Sequence, residues 1–267
     1  MGVRLNQIQD ALGYRDQFGF FDQFDYYTDG QRWTKVTASS GTVAFNTFSG
    51  GSTLGRGMII TTTGGTSSEA YLPMTNAPFI FGTNVPLYAE CNLQYAEADT
   101  NNANICFGFV GYSGGVASGL MTGTGMVASF SGAVIFKVAG STLWQCQSSI
   151  GTTNTIQTSD ITAGGTAANV NSNTGYQRLA VQIRPNATGG AEVVFMIDMI
   201  QPNIQYFGPP TPRIKQQIAN TTGFVNMQVV TGARGGSATA QPVYLDYAAG
   251  YQIRNTLSVG PYPVGGV

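Results

Sequence analysis

Short apolar runs, separated by glycine-rich turns, follow one another along most of the chain. Dipeptides such as Asp29-Gly30, Gly64-Gly65 and Gly189-Gly190 mark the turns. The runs cover residues 17–28, 31–37, 42–48, 56–62, 68–73, 86–96, 104–112, 125–130, 132–139, 142–148, 176–184, 191–199, 224–231 and 242–254. Many short strands at regular spacing, joined by such turns, are typical of a β-sandwich or barrel.

Two stretches show the alternation of apolar residues most sharply. A hairpin is predicted from apolar positions that recur at every second residue, namely Leu179, Val181 and Ile183 in one strand and Val193, Phe195 and Ile197 in the next. The last long run places Val243, Leu245 and Tyr247 two residues apart, which predicts that they share one face of a strand.

Helical periodicity is scarce, and it predicts one or two short helices. The first candidate covers residues 3–13. The second covers 212–219, where Pro212 suits the first helical position and Ile214 and Ile218 lie one helical turn apart.

The chain divides into a central domain and two arms. Residues 1–17 are predicted to form an N-terminal arm, residues 18–254 the sandwich domain and residues 255–267 an extended C-terminal tail. Within the domain, the polar segment 149–175 is predicted to be a long surface excursion.

The amino-acid composition narrows the range of possible functions. The chain has 267 residues, 12 basic and 13 acidic side chains and no histidine. The charge balance predicts no nucleic-acid partner. The missing histidine excludes Ser-His-Asp and Cys-His catalysis and histidine-containing zinc sites. We expect no cofactor.

The thiols and the chain start indicate where the protein is made. Cys91, Cys106 and Cys146 lie in strand-like runs without a Cys-x-x-Cys pair, so we expect buried free thiols. The start shows no secretion signal, and no apolar run is long enough to span a membrane. We therefore expect synthesis and assembly in a host cytoplasm.

Acidic residues offer weak candidates for chemistry. The pattern E-x-D-x-x-E, which would place carboxylates on one strand face for glycoside cleavage, does not occur. Glu97, Asp99 and Asn101 form the nearest acidic stretch, which is interpreted as a solvated turn, with calcium binding as the weaker alternative. We expect no catalytic residue and no bound metal.

Aromatic residues near the start of the domain have two interpretations. Phe20, Phe21, Tyr26, Tyr27 and Trp33 could stack on sugars, or they could fill the core or an interface. The second interpretation is favoured, because large aromatic residues dominate cores and interfaces.

Several segments carry a resemblance to a known class of proteins. They are Phe21–Tyr27 followed by Arg32-Trp33-Thr34, the strand pair Tyr176–Val181 and Val194–Asp198, and Tyr244–Tyr247 with Gln252–Arg254. Together they resemble the capsid decoration, or cement, proteins of tailed bacteriophages, which carry a concanavalin A-like jelly-roll β-sandwich. The resemblance implies an all-β fold with a single jelly-roll sandwich and extended arms, a place on the outer capsid surface, and often a trimer.

The N-terminal arm is the predicted contact with other chains. Its apolar residues Leu5, Ile8, Leu12, Phe18 and Phe20 are expected to contact the major capsid protein or another copy of this chain. The predicted function is a virion structural protein that binds and stabilises the outer capsid lattice. The alternatives are a carbohydrate-binding receptor module of a phage tail fibre or head fibre, with a glycan as ligand, and a jelly-roll capsid protein.

Overall fold

The computed structural model describes residues 17–45, 57–82, 85–95, 102–111, 118–128, 130–163, 176–197, 212–221, 224 and 226–253, none of which is helical. The strands are β1 (Gln17–Asp22), β2 (Val36–Ala38), β3 (Thr42–Phe45), β4 (Met58–Thr62), β5 (Glu69–Pro73), β6 (Leu87–Tyr95), β7 (Ala103–Gly111), β8 (Met121–Thr122), β9 (Gly125–Met126), β10 (Ser131–Lys137), β11 (Leu143–Ile150), β12 (Thr153–Thr162), β13 (Gln177–Pro185), β14 (Ala191–Ile197), β15 (Pro212–Ile218), β16 (Met227–Gly235) and β17 (Gln241–Ile253). No helix within these ranges could span a membrane.

The strands form two large antiparallel sheets. The eight-stranded sheet has the order β15-β14-β13-β6-β17-β4-β3, and β1 pairs with the last part of β17. The seven-stranded sheet has the order β12-β11-β10-β7-β16-β5-β2. Each sheet combines consecutive strands, such as β13-β14-β15 and β10-β11-β12, with neighbours that are distant in sequence, such as β6-β17 and β7-β16. Such crossovers are typical of Greek-key sandwiches.

The core lies between the sheets because alternate residues of facing strands are apolar. β6 shows this most simply, since Leu87, Ala89, Cys91, Leu93 and Tyr95 are buried while the residues between them are half-buried. The predicted hairpin is confirmed, with β13 and β14 paired in register from Leu179–Ile197 to Pro185–Ala191. Side chains at every second position lie on the same face of a strand, which explains why apolar residues alternate along these strands in the sequence.

A second apolar cluster covers the outer face of the seven-stranded sheet. It joins residues of β5, β7, β10 and β16 to the segment 118–130, which carries the small β8–β9 hairpin. Its buried members are Tyr71, Cys106, Val110, Leu120, Met121, Met126, Phe130, Val134, Phe136 and Val230. We call segment 118–130 the cover, because it buries a sheet face that would otherwise contact solvent.

Polar contacts fix the cover to the sheet. Arg234 Nη1 lies 3.0 Å from Glu69 Oε1 and donates to the carbonyl of Met121 at 2.6 Å. Glu69 Oε2 accepts the N–H of Gly119, so one nearly buried ion pair contacts the cover twice. The Met121 N–H donates to the Tyr71 hydroxyl at 3.1 Å.

The helix predicted over 212–219 is wrong, because Pro212–Ile218 forms β15. Ile214 and Ile218 are four residues apart, and an even spacing also places two residues on one face of a strand. Gln216 lies between them on that face, is buried, and accepts hydrogen bonds from Ser148 N (2.9 Å) and Ser148 Oγ (2.6 Å). The helix predicted at 3–13 lies outside the described residues.

The predicted surface excursion at 149–175 is partly regular structure. Residues 149–150 end β11, and Thr153–Thr162 form β12 at the edge of the seven-stranded sheet. Threonine is β-branched and therefore favours strands. The prediction of a loop rested on the polar composition of this segment and did not include that preference. The strand β1 begins at Gln17, the last residue of the predicted arm, and the tail 255–267 lies outside the described residues.

Candidate functional site

The outer face of the eight-stranded sheet carries a group of aromatic and polar side chains. Positions that alternate with the buried ones place Tyr88, Glu90 and Asn92 on this face of β6. In the same sheet, β17 lies beside β6 and β1 lies beside β17, and these two strands add Tyr247, Tyr251 and Phe21. We call these six residues the aromatic face.

Four rings of the aromatic face form two stacked pairs. Tyr88 and Tyr251 have ring centroids 5.0 Å apart at an interplanar angle of 25°, and Phe21 and Tyr247 lie 5.2 Å apart at 30°. Phe21 is 45% exposed and Tyr251 is 38% exposed. Each pair therefore holds one ring in place and presents another to solvent.

A small residue separates the two ring pairs. Tyr247 and Tyr251 are four residues apart on β17, which corresponds to about 13 Å along a strand. Ala249 lies between them, and its register partners are Phe21 on β1 and Glu90 on β6. The face therefore has a low floor at Ala249, bordered by aromatic rings and one carboxylate.

The Glu90 carboxylate is held by tyrosine hydroxyls. Tyr88 Oη donates to Glu90 Oε2 at 2.5 Å, and Tyr247 Oη donates to Glu90 Oε1 at 3.2 Å. Burial and the neighbouring Glu90 charge raise the pKa of both tyrosine hydroxyls, so both stay protonated as donors. The carboxylate is thereby fixed in orientation and keeps lone pairs for a further donor.

A β-bulge in β17 sets which residues reach this face. The pairing of β17 with β6 shifts between Leu245 and Tyr247, so that Asp246 is an extra residue. Asp246 Oδ2 accepts a hydrogen bond from Asn92 Nδ2 at 3.1 Å. The prediction that Tyr247 shares a face with Val243 and Leu245 is wrong for this reason: the extra residue turns Tyr247 outward.

The bulge also changes the acidity of its own side chain. Burial raises the pKa of the Asp246 carboxyl, while the hydrogen bond from Asn92 acts in the opposite direction. Asp246 and Glu90 are the acidic groups that β17 and β6 bring to this part of the sheet. Along β6, however, the outward neighbours of Glu90 are Tyr88 and the amide Asn92. Cleavage of a glycoside uses two carboxylates, about 5–5.5 Å apart in retaining enzymes, and Glu90 is the only acidic residue of β6.

The structure shows which of the aromatic residues near the start of the domain lie in the core and which are exposed. Phe20 is 6% exposed, with its ring centroid 5.5 Å from that of Trp33, and both belong to the core. The prediction that Phe20 contacts a capsid or another subunit is therefore wrong, because the alternation of β1 turns it inward and Phe21 outward. Tyr27 packs partly buried against the core, and Tyr26 is exposed in the loop after β1.

The acidic residue Asp22 has a structural role. It accepts hydrogen bonds from the Trp33 indole N–H (2.9 Å), the Phe24 N–H (2.8 Å) and Arg32 Nη1 (3.2 Å). These bonds hold the turn in which Phe24 adopts a φ of 52°, a left-handed conformation that is costly for a residue with a side chain.

The remaining predicted site residues cannot be placed. Leu5, Ile8 and Leu12 lie outside the described residues, and of Phe18 only the backbone position in β1 is described. Glu97, Asp99 and Asn101 also lie outside them. Within the described ranges, no group of three histidine, cysteine, aspartate or glutamate residues is arranged to hold a metal ion.

The three cysteines are buried and unpaired, as the sequence predicts. Burial, with a smaller contribution from the Glu69 charge, raises the pKa of the Cys106 thiol to about 12. Burial likewise raises the pKa of the Cys91 and Cys146 thiols. None of the three is therefore a nucleophile near neutral pH.

Sequence reasoning missed Tyr88, Glu90 and Asn92. The signal was present in β6, where polar residues alternate strictly with Leu87, Ala89 and Cys91. Such alternation identifies a solvent-facing row of side chains, but not what the neighbouring strands place beside it.

Comparisons with known proteins define the fold. The chain matches no model of a protein family and no curated protein. A protein of unknown function from Shewanella oneidensis MR-1 has a similar structure, with a TM-score of 0.56, 10% sequence identity, and coverage of 98% of this chain and 99% of that one.

Two further similar structures belong to named proteins. A Bacteroides ovatus GH16 protein of a mixed-linkage glucan locus, in complex with a G4G4G3G product, has a TM-score of 0.50 and 10% identity over 86% of this chain and 98% of that one. The exoplasmic/lumenal domain of VIP36, in a Ca²⁺- and mannose-bound form, has a TM-score of 0.50 and 12% identity over 86% of this chain and 85% of that one.

These likenesses define an architecture and nothing finer, because the identities are low. The protein has a jelly-roll β-sandwich fold of the concanavalin A-like type. The predicted fold class is thus confirmed.

Proposed function

We propose that this protein is a carbohydrate-binding module without catalytic activity, and that the aromatic face is its binding surface. One observation carries the proposal: two exposed, stacked rings flank a carboxylate that tyrosine hydroxyls hold in a fixed orientation. Sugars present apolar C–H faces and a ring of hydroxyl groups. Aromatic rings and oriented polar groups together suit both features.

The floor at Ala249 suggests where one sugar unit binds. A ring lying over Ala249 would contact Phe21 and Tyr251 and could donate a hydroxyl hydrogen bond to Glu90. That bond would be charge-assisted and therefore stronger than one between neutral groups. Similar folds in the VIP36 domain and the GH16 protein, whose structures contain mannose and a glucan product, are consistent with a glycan ligand.

Binding to an array of neutral glycans and soluble polysaccharides tests the proposal. We expect Tyr251→Ala and Phe21→Ala each to weaken binding by about tenfold or more, equivalent to about 1.4 kcal/mol of lost contact. Ala249→Leu should block the floor and weaken binding without changing a ring. Tyr26→Ala is the matched control, because Tyr26 is 74% exposed but lies outside the sheet.

Unchanged affinity in both ring variants would refute this use of the aromatic face. The absence of catalysis needs its own test, in which reducing ends are counted after prolonged incubation with each bound glycan. Turnover that disappears in Glu90→Gln would show that the protein is a glycoside hydrolase instead.

The place of this module in a larger particle is a separate proposal, based on the resemblance to decoration proteins. It puts the protein on the outer surface of a virion, bound to the major capsid protein through the N-terminal arm. The only described side chain among the predicted contacts, Phe20, does not support this proposal, because it belongs to the core. The copy number of the chain in purified particles tests it.

A further inference from the structure

Five described strands lie at the edges of the two sheets, and they differ in how well they are protected. In the described part of the chain, β3 and β2 end their sheets with four and three residues. β15 has seven residues but carries a proline, an arginine and a lysine. Short edges, prolines and positive charges are the features that keep sheet edges from pairing with other chains.

β1, at the edge beside β17, also has no lysine, arginine or proline, but it has only six residues. β12 is the longest edge strand and lacks these features as well. It has ten residues with the sequence TNTIQTSDIT, and its only neighbour among the described strands is β11. Residues 153–158 are all exposed, and Ile156 is 51% exposed. A long exposed edge without lysine, arginine or proline is a template for strand addition.

The hairpin geometry identifies the backbone groups that β12 leaves available. Ile150 and Thr153 are register partners that close a two-residue turn at Gly151, whose φ is 58°. The closing pair of such a turn exchanges hydrogen bonds, and the pattern then alternates along the hairpin. The N–H and C=O groups of Asn154, Ile156 and Thr158 therefore point away from β11.

We infer that β12 is a dimerisation edge, and that its partner is β12 of a second copy of this chain. In an antiparallel pair with the two-fold axis at Ile156, each Ile156 exchanges hydrogen bonds with its counterpart. Asn154 of each copy then pairs with Thr158 of the other. Closed two-fold symmetry requires this kind of self-complementarity.

The charge of the strand fits self-pairing. Its only ionisable side chain is Asp160, which lies outside the exposed segment 153–158. The two carboxylates therefore stay away from the axis, and no like charges face each other. At the axis the two Ile156 side chains lie side by side and remove apolar surface from water.

The size of this interface determines how strongly the two copies are expected to associate. One added strand pair buries less than the roughly 1,000 Å² that a stable dimer usually buries. We therefore expect a dimer that forms on concentration and dissociates on dilution.

Sedimentation velocity over a concentration series tests the inference with the full chain. The wild type should change from monomer to dimer. Ile156→Pro should weaken association by about tenfold or more, because proline removes an outward N–H without removing a bond to β11. Ile156→Lys should do the same through charge repulsion, and Ala187→Lys, in the exposed turn between β13 and β14, is the matched control.

Hydrogen exchange provides an independent readout. The amides of Asn154, Ile156 and Thr158 should become protected at high concentration, whereas those of Thr155 and Gln157, which bond to β11, should be protected throughout. A wild type that stays monomeric at the highest concentration overturns the inference. So does a dimer that Ile156→Pro leaves intact while circular dichroism shows the fold preserved.

Discussion

Phe20 and Phe21 are neighbours in β1 whose side chains lie on opposite faces of the eight-stranded sheet. Phe20→Ala should lower the free energy of unfolding by about 3–5 kcal/mol, because it leaves a cavity beside Trp33 and Phe79. Phe21→Ala should change it by about 1 kcal/mol or less, because this residue is already 45% exposed. Urea unfolding of the two variants measures the difference. Equal losses would contradict the assignment of the two faces.

Asp246 is predicted to make stability depend on pH. Its folded-state pKa is raised by burial, so between the unfolded and folded pKa values the folded chain binds more protons. The contribution of this group is therefore fully present at acid pH and is lost as the pH rises through the folded pKa. Asp246→Asn can keep the Asn92 bond and should raise the Tm at pH 7 by an amount on the order of 1–3 °C.

The gain in Tm from Asp246→Asn should shrink as the pH is lowered, because the wild-type carboxyl then becomes neutral as well. Thermal melts of both proteins between pH 4 and pH 8 would show this. A gain that grows toward acid pH would mean that the ionised carboxylate stabilises the fold.

At the scale of elements, one ion pair contributes to the attachment of the cover. Arg234→Met removes the counter-ion of the nearly buried Glu69 carboxylate, and it removes a bond to Met121. We expect a loss of about 3–5 kcal/mol in the free energy of unfolding, measured by urea titration. Removing both partners, by Glu69→Met together with Arg234→Met, should restore much of it.

The ion pair between Arg184 and Glu192 is the matched control. Its atoms lie 3.8 Å apart and Arg184 is 52% exposed, so Arg184→Met should cost about 1 kcal/mol or less. Equal effects of the two arginine substitutions would show that the cover does not rely on burial of its pair.

A strand or helix could be predicted from the sequence where the spacing of its apolar residues fits only one type of secondary structure. The β13–β14 hairpin follows from strict alternation on both strands. Spacing failed at Ile214 and Ile218, since four residues fit both a helical turn and one face of a strand. It failed again at β12, because a polar edge strand buries too little apolar surface on either side to show alternation.

At the scale of the whole molecule, the two sheets use their outer faces differently. The chain covers one with its own segment 118–130, while the other carries exposed rings and a fixed carboxylate. An all-β sandwich or barrel could be predicted from composition and turn spacing, and the jelly-roll sandwich from the resemblance. The aromatic face could not, because β1, β6 and β17 are brought together only by strand order, and nonlocal pairing leaves no local sequence signal.

Beyond the bulge at Asp246, β17 is sensitive to length in a way that its composition does not reveal. Up to Leu245 the odd-numbered residues face the core, and from Ala248 onward the even-numbered ones do. Loss of the codon for Asp246 alone would remove the bulge and keep both faces, because Tyr247 would then follow Leu245 in regular alternation. Loss of a codon beyond the bulge, such as that for Ala249, would turn Tyr251 toward the core and Gly250 toward solvent. Side chains beyond the bulge can therefore be exchanged, but a residue can scarcely be inserted or deleted there.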